Sequence, residues 1–141
     1  MSVFVVDASV VIKWFVPEVH SEAAGRLLKT ADHYLAPDLL FPEVGNAIWK
    51  KVRRDELTSR QARELAADIS TIAVETVSAR SLFEDACGVA IATGLTVYDA
   101  MCLALAVRLD TKLITADDRL VRTVARNRTL AGHVQSVQEM I

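Results

Sequence analysis

An α/β fold, a three-layer α/β/α sandwich around a mainly parallel central sheet, is predicted by three features of the sequence. Short β-branched runs alternate along the chain with longer segments of helical periodicity, the pattern of a parallel sheet covered on both faces. The 141 residues suffice for one hydrophobic core and are too few to divide comfortably into two, so a single domain over residues 1–141 is expected. The hydrophobic share, 52%, lies a little above the globular norm, which implies a generous core or an apolar surface kept for a partner.

The elements follow from local signals. Residues 3–6, Val-Phe-Val-Val, read as a first strand ended by Asp7, and residues 9–15 as a short helix stopped by Pro17. A helix over 20–30 leads to a strand over 33–36. The next helix, 39–54, contains Pro42, which must begin or kink it, since a proline inside a helix removes a hydrogen bond and clashes with the preceding turn. Its core stripe is read as Phe41, Val44, Ile48 and Val52. Thr58-Ser59 supplies an N-cap for a helix over 59–72, followed by a strand over 73–77. The helix over 79–93 ends at Gly94, the residue suited to a left-handed C-cap. Residues 98–109 form a helix that is apolar nearly all round and therefore buried. A strand over 112–115, a helix over 118–126 and a strand over 133–137 complete the chain. No linker, repeat or low-complexity segment interrupts it.

Several function classes are disfavoured. The longest apolar run, residues 100–107, is bracketed by Asp99 and Arg108 and falls far short of the roughly 20 residues of a membrane span. The first residues lack the basic region and cleavage pattern of a secretory signal, so the expected location is the cytoplasm, away from any membrane. Cys87 and Cys102 have no CxxC or Cys/His spacing and are expected as buried, reduced thiols. His20, His33 and His133 are scattered, which leaves histidine-based catalysis little support.

The chemistry lies with carboxylates. Asp7 ends the first strand and Asp117 follows the strand over 112–115 after one residue, so both stand at carboxyl ends of parallel strands, the edge where open α/β sheets bind ligands. Asp99 falls in the first turn of the buried helix. Each of the three can equally be a helix cap, and Glu43, about a quarter-turn from its helix's core stripe, can be a solvated residue. Convergence favours function: carboxylates gathered at one edge repel one another, and a hard divalent cation such as Mg2+ or Mn2+ resolves that repulsion. Such an ion serves phosphodiester hydrolysis by activating water and neutralising phosphate charge. The sequence offers no nucleophile elbow, no Cys/His arrangement and no glycine-rich phosphate loop.

Four blocks carry a family resemblance: Val5-Val6-Asp7-Ala8-Ser9, Pro42-Glu43-Val44-Gly45-Asn46-Ala47, Tyr98-Asp99-Ala100 with the following Leu-Ala helix, and Leu113-Ile114-Thr115-Ala116-Asp117 with Leu120. In their order and spacing the chain resembles PIN-domain ribonucleases, and among them the VapC toxins of toxin-antitoxin modules. The resemblance spans essentially the whole sequence, although residues between Ala47 and Tyr98 match in helical character alone. It implies that Asp7, Glu43, Asp99 and Asp117 ligate or surround Mg2+ or Mn2+, and that Ser9, Asn46 and Thr115 orient ligands or waters. For Ser9 and Thr115 local capping is an equal reading. Asp118 competes with Asp117 for the fourth position, and the spacing from Thr115 favours Asp117. The resemblance also implies an RNA substrate, a VapB-type antitoxin and a homodimer.

A net charge of −2 looks wrong for an RNA-handling protein, yet without the four site carboxylates it becomes 16 positive against 14 negative. Lys50, Lys51, Arg53 and Arg54 extend the Glu43 helix, and Arg119, Arg122 and Arg126 recur at i, i+3, i+7 after Asp117. These groups are ordinary solvated surface or the two banks of an RNA path, and their adjacency to the acids favours the path, with loops or single strands as substrate. Trp14, Phe15, Leu39, Leu40 and Trp49 are expected mostly in the core, any exposed members serving a dimer face or an antitoxin groove.

Other classes fit less well. A phosphoacceptor receiver domain needs paired acids after its first strand, an aspartate after its third and a lysine after its last, where this chain has Asp7 alone, Val77-Ser78 and no such lysine. An aspartate-based phosphohydrolase needs a second aspartate at the position of Ser9. A PIN fold that binds or processes RNA without turnover or without a toxin role is the remaining alternative, and the presence of all four acids argues against lost turnover. An adjacent small reading frame would separate toxin from housekeeping nuclease.

Overall fold

Alternation within the strands decides which helices cover which face of the sheet. In the computed structural model, which describes residues 2–18, 20–30 and 33–139, the elements run β1 (Val3–Val6), α1 (Ala8–Phe15), α2 (Ser21–Thr30), β2 (His33–Pro37), α3 (Leu40–Arg53), α4 (Ser59–Ile69), β3 (Val74–Val77), α5 (Ala79–Thr93), α6 (Val97–Arg108), β4 (Leu113–Thr115), α7 (Asp118–Ala125) and β5 (Val134–Ser136). The single-domain expectation extends over residues 1–141, of which 1, 19, 31, 32, 140 and 141 lie outside the described residues. The strands form one sheet in the order β3-β2-β1-β4-β5, and every pair is parallel.

Val6, Tyr34, Ala36 and Ile114 face one side, where they pack on Val10 and Val11 of α1, Ala24 and Leu27 of α2, Val44 and Ile48 of α3, and Ile69 of α4. Val5, Leu113 and Val134 face the other, against Leu82 and Ala86 of α5, nearly all of α6, and Leu120 and Val124 of α7. Helices preceding β3 therefore cover one face and those following it the other. With right-handed crossovers this is what a reversal of direction requires: the chain steps outward from β1 to β2 to β3, then returns across the sheet to β4. The reversal leaves a crevice between β1 and β4 at their carboxyl ends.

Helix termini match their sequence signals. Thr58 and Gln61 form a reciprocal capping box at the start of α4, with bonds of 2.9 and 3.1 Å. Pro42 is the third residue of α3, inside the first turn, where its missing N–H costs nothing. Ala100 to Ala106 of α6 are all buried, so the apolar run is a core helix, and among the described residues no single helix is long and apolar enough to cross a membrane.

Four expectations are corrected. The core stripe of α3 is Leu40, Val44 and Ile48, while Phe41 is 36% exposed: once Val44 points inward, the residue four positions earlier shares its face. Helix α4 ends at Ile69, because the Ser70 and Thr71 hydroxyls donate to the carbonyls of Ala67 and Asp68 and compete with helical pairing. His133 closes a short 3-10 turn and delays β5 to Val134. Cys102 is buried, but Cys87 is half-exposed on α5. Trp14 joins the core as expected, with its indole N–H donating to the Ala24 carbonyl at 2.8 Å and its ring edge-on to Tyr34.

Gly94 caps α5 with φ +80, and a Cβ added there would meet open space. Gly94→Ala thus isolates the backbone cost of a left-handed residue, and chemical denaturation should show a loss of about 1–2 kcal/mol; an unchanged midpoint would mean the cap relaxes without cost.

Candidate metal centre and its family

Asp7 is fixed at the crevice by two hydroxyls. Its Oδ1 accepts from Ser9 Oγ at 2.5 Å and from the Val10 amide at 3.3 Å, and its Oδ2 accepts from Thr115 Oγ1 at 2.5 Å. Ser9 Oγ in turn accepts the Ala116 amide at 3.1 Å, and Thr115 Oγ1 accepts the Asp117 amide at 3.1 Å. Ser9 belongs to the segment after β1 and Thr115 ends β4, so these bonds join the two strand ends on either side of the topological reversal. Thr115 is completely buried.

The remaining acids approach from three elements. Asp117 caps α7, its Oδ1 accepting from the amides of Arg119 at 3.0 Å and Leu120 at 3.3 Å, which leaves its second oxygen outside the cap. Asp99 lies one residue beyond Tyr98 in the first turn of α6 and is not the cap; Thr96 Oγ1 takes that role, accepting the Asp99 amide at 3.2 Å. The capping reading thus holds for Asp7 and Asp117 and fails for Asp99. Glu43 projects from the first turns of α3, half-buried, and shares a narrow crevice with Asp7 lined by Val6, Pro37, Leu40 and Cys102.

Electrostatics record how closely these groups gather. Burial raises the Asp7 pKa, opposed by the Ser9 and Thr115 hydroxyls and reinforced by the charge of Asp99. Burial first, then the charges of Asp7 and Asp99, push Glu43 up to about 7. Asp99 is raised by burial and by Asp117, and lowered by Thr96. Asp117, and not Asp118, is the neighbouring charge Asp99 feels. Cys102, one turn beyond Asp99, is pushed well up by burial and by Asp7, Glu43 and Asp99. Sequence reasoning missed Cys102 as a wall of the site, because its proximity to Asp7 and Glu43 is purely tertiary.

The donor set fits a hard divalent cation. All four groups offer oxygen, and for Asp7, Glu43 and Asp99 burial first and neighbouring charge second raise the pKa, the second of which a cation would relieve. Among the described residues no three Asp, Glu, His or Cys side chains close onto one ion position. An open set suits magnesium, which keeps several waters and takes one or two carboxylates directly. Asn46, one turn along from Glu43, is exposed and makes no side-chain hydrogen bond among the described residues. Lys50, Arg54, Arg119, Arg122 and Arg126 are exposed as expected. Lys51 is not: it binds Glu18 at 2.5 Å, together with Lys13 at 3.1 Å, tying α3 to the segment after α1.

A carboxyl with a raised pKa binds protons more tightly folded than unfolded, so its contribution to stability is complete at low pH and fades as pH climbs through the folded pKa. For Glu43 that window runs from 4.5 to about 7. In EDTA, therefore, the melting temperature of Glu43→Gln should gain on that of the parent as pH rises across this window; a difference independent of pH would contradict the repulsive cluster.

Residues 4–126 match the PIN domain family. Ribonuclease VapC3 of Pyrobaculum aerophilum is 36% identical over 118 residues, covering 82% of this chain and 90% of that relative. PAE2754 from Pyrobaculum aerophilum superposes with a TM-score of 0.71 at 23% identity, over 97% of this chain and 85% of its own. A toxin-antitoxin complex from Klebsiella pneumoniae gives 0.66 at 16% identity, over 97% and 98%. The two solved structures share the fold, and the sequence match carries the kinship: this chain belongs to the PIN-domain family and, within it, to the VapC ribonucleases.

Proposed function

We propose that the chain is a Mg2+- or Mn2+-dependent endoribonuclease that acts as the toxin of a type II toxin-antitoxin pair in the cytoplasm, as one catalytic domain. The observation that carries this reading is the cluster of Asp7, Glu43 and Asp99, each with its pKa raised by burial and by neighbouring charge, at the crevice between β1 and β4. Asp7, Glu43, Asp99 and Asp117 would hold the cation, which supplies a water of lowered pKa and neutralises charge on the phosphate oxygens when bound.

The chain's own residues do the positioning. Ser9 and Thr115 donate to opposite oxygens of Asp7, favour its charged form and fix its carboxylate plane. Glu43 and Asp99 stand close enough to repel, so they favour a cation over an empty crevice. Asn46 orients polar groups beside Glu43. Lys50, Arg54, Arg119, Arg122 and Arg126 hold the RNA backbone on either side; Lys51 supports them from its pairing with Glu18.

Two partners follow. Trp14 and Phe15 border an apolar cleft of about 270 Å³ with Tyr34 and Ile72, and Phe15 also borders a second of about 260 Å³ where Leu57 and Leu65 stand beside Gln61, Glu64 and Asp68; together they suit an amphipathic segment of a VapB-type antitoxin. Phe83 and Ile91, exposed two turns apart on α5, suit a homodimer face.

The test is cleavage of total cellular RNA by the purified chain and by Asp99→Asn, with magnesium, with manganese and with EDTA. Discrete fragments are expected from the parent with metal alone, with the variant slower by at least about 100-fold and equally well folded, because Thr96 and not Asp99 caps α6. Thr115→Val should lose roughly 10- to 100-fold, the cost of freeing a ligand's orientation. A parent free of retained antitoxin that cuts nothing, while still binding RNA, would favour a binding module.

A further inference from the structure

Helix α3 carries more than Glu43. At i+3 and i+7 from Glu43 lie Asn46 and Lys50, and the stripe beside them is Asn46, Trp49 and Arg53, again at i, i+3, i+7. Trp49 is 52% exposed, although an indole is among the side chains that gain most from burial. The Arg53 guanidinium stands 5.1 Å from its ring centroid, a cation–π contact that favours this placement of the indole. Lys50, Arg53 and Arg54 form no ion pair among the described residues, and Asp55 and Glu56 bound this basic stretch at its far end.

We propose that Trp49, braced by Arg53, is a stacking platform for an unpaired base of the RNA, and that it sets where a strand sits relative to the acidic crevice. The inference rests on the ribonuclease reading of that crevice. Trp49 lies six residues from Glu43, about 9 Å along the helix axis and about a third of a turn around it, so a strand that reaches both crosses the helix obliquely by way of the Asn46 position between them. An exposed aromatic among cations offers a strand both things it needs, a π-face for a base and positive charge for its phosphates. A protein partner docking its apolar surface here would instead bury Lys50, Arg53 and Arg54 against nonpolar groups, at a desolvation cost. The charge of this surface therefore selects a single-stranded polyanion with aromatic bases as occupant.

The experiment compares two labelled oligoribonucleotides of equal phosphate count, one of mixed sequence and one with abasic residues, binding the Asp99→Asn protein in magnesium by fluorescence anisotropy. The base-bearing strand should bind more tightly. Trp49→Ala should weaken it about 5- to 150-fold and erase the preference, with the slope of log K against log salt unchanged, whereas Trp49→Phe should retain most of it. On the cleaving protein, Trp49→Ala should raise KM and leave kcat nearly intact.

Equal affinity for the two strands, or a Trp49→Ala protein that binds both as the parent does, overturns the platform while cleavage by the parent still upholds the ribonuclease. A Trp49→Ala protein with altered oligomeric state and unaltered RNA affinity also overturns it, and assigns Trp49 to a protein contact. Absence of cleavage by the parent removes the ribonuclease reading itself.

Discussion

Two hydroxyls on one carboxylate hold this molecule's crevice together. Ser9 and Thr115 reach Asp7 from opposite sides of the topological reversal, and each also accepts a backbone amide from the segment after β4. The sheet order β3-β2-β1-β4-β5 makes β1 and β4 neighbours although they lie far apart in sequence, and the Asp7 network is where the carboxyl ends of these two strands are tied. Remove it and the loops that carry Asp117 and the start of α1 lose their common anchor. Glu43 and Asp99 arrive on helices from opposite faces of the sheet, so their positions relative to Asp7 depend on both apolar layers at once.

That arrangement explains why a protein with ordinary composition holds partly buried like charges. Hydrophobic packing is non-directional, large in sum and insensitive to a few unfavourable electrostatic contacts. Two full layers of aliphatic side chains press α3 and α6 against the sheet, and the carboxylates at their ends are carried along. The resulting strain is electrostatic and is expressed in protonation: burial leads, and neighbouring charge follows. Among the described residues no cationic side chain lines the crevice that Asp7 and Glu43 share, so their repulsion is one that a cation from solution would relieve.

Much of the architecture is readable in the sequence because local and global signals agree. Strand and helix positions follow from β-branched runs, from Gly94, and from the Thr58-Gln61 pair, and Asp7 and Asp117 reveal themselves by ending strands. Where reading fails, two adjacent residues compete for one role. Leu40 and Phe41 are both apolar, and only the register of α3 on the sheet chooses Leu40. Thr96 and Asp99 can both cap α6; the Thr-x-x-Asp spacing is the signature of a capping box, and it points to Thr96. Other features have no local trace at all. Lys51 leaves the basic surface because Glu18 comes from a different segment, and Cys102 meets Asp7 and Glu43 through the fold alone.

The division of labour among the acids has an evolutionary consequence. Asp7 and Asp117 cap helices as well as standing in the acidic cluster, so a mutation of either also frays a helix and is exposed to selection on folding. Asp99 has delegated its capping duty to Thr96 and carries no such tie. A lineage relieved of the need for cleavage would therefore drift first at Asp99, and would keep Asp7 and Asp117 as relics. Relatives that retain strand-end aspartates yet have lost the acid on α6 should accordingly be read as folded descendants with a different occupation.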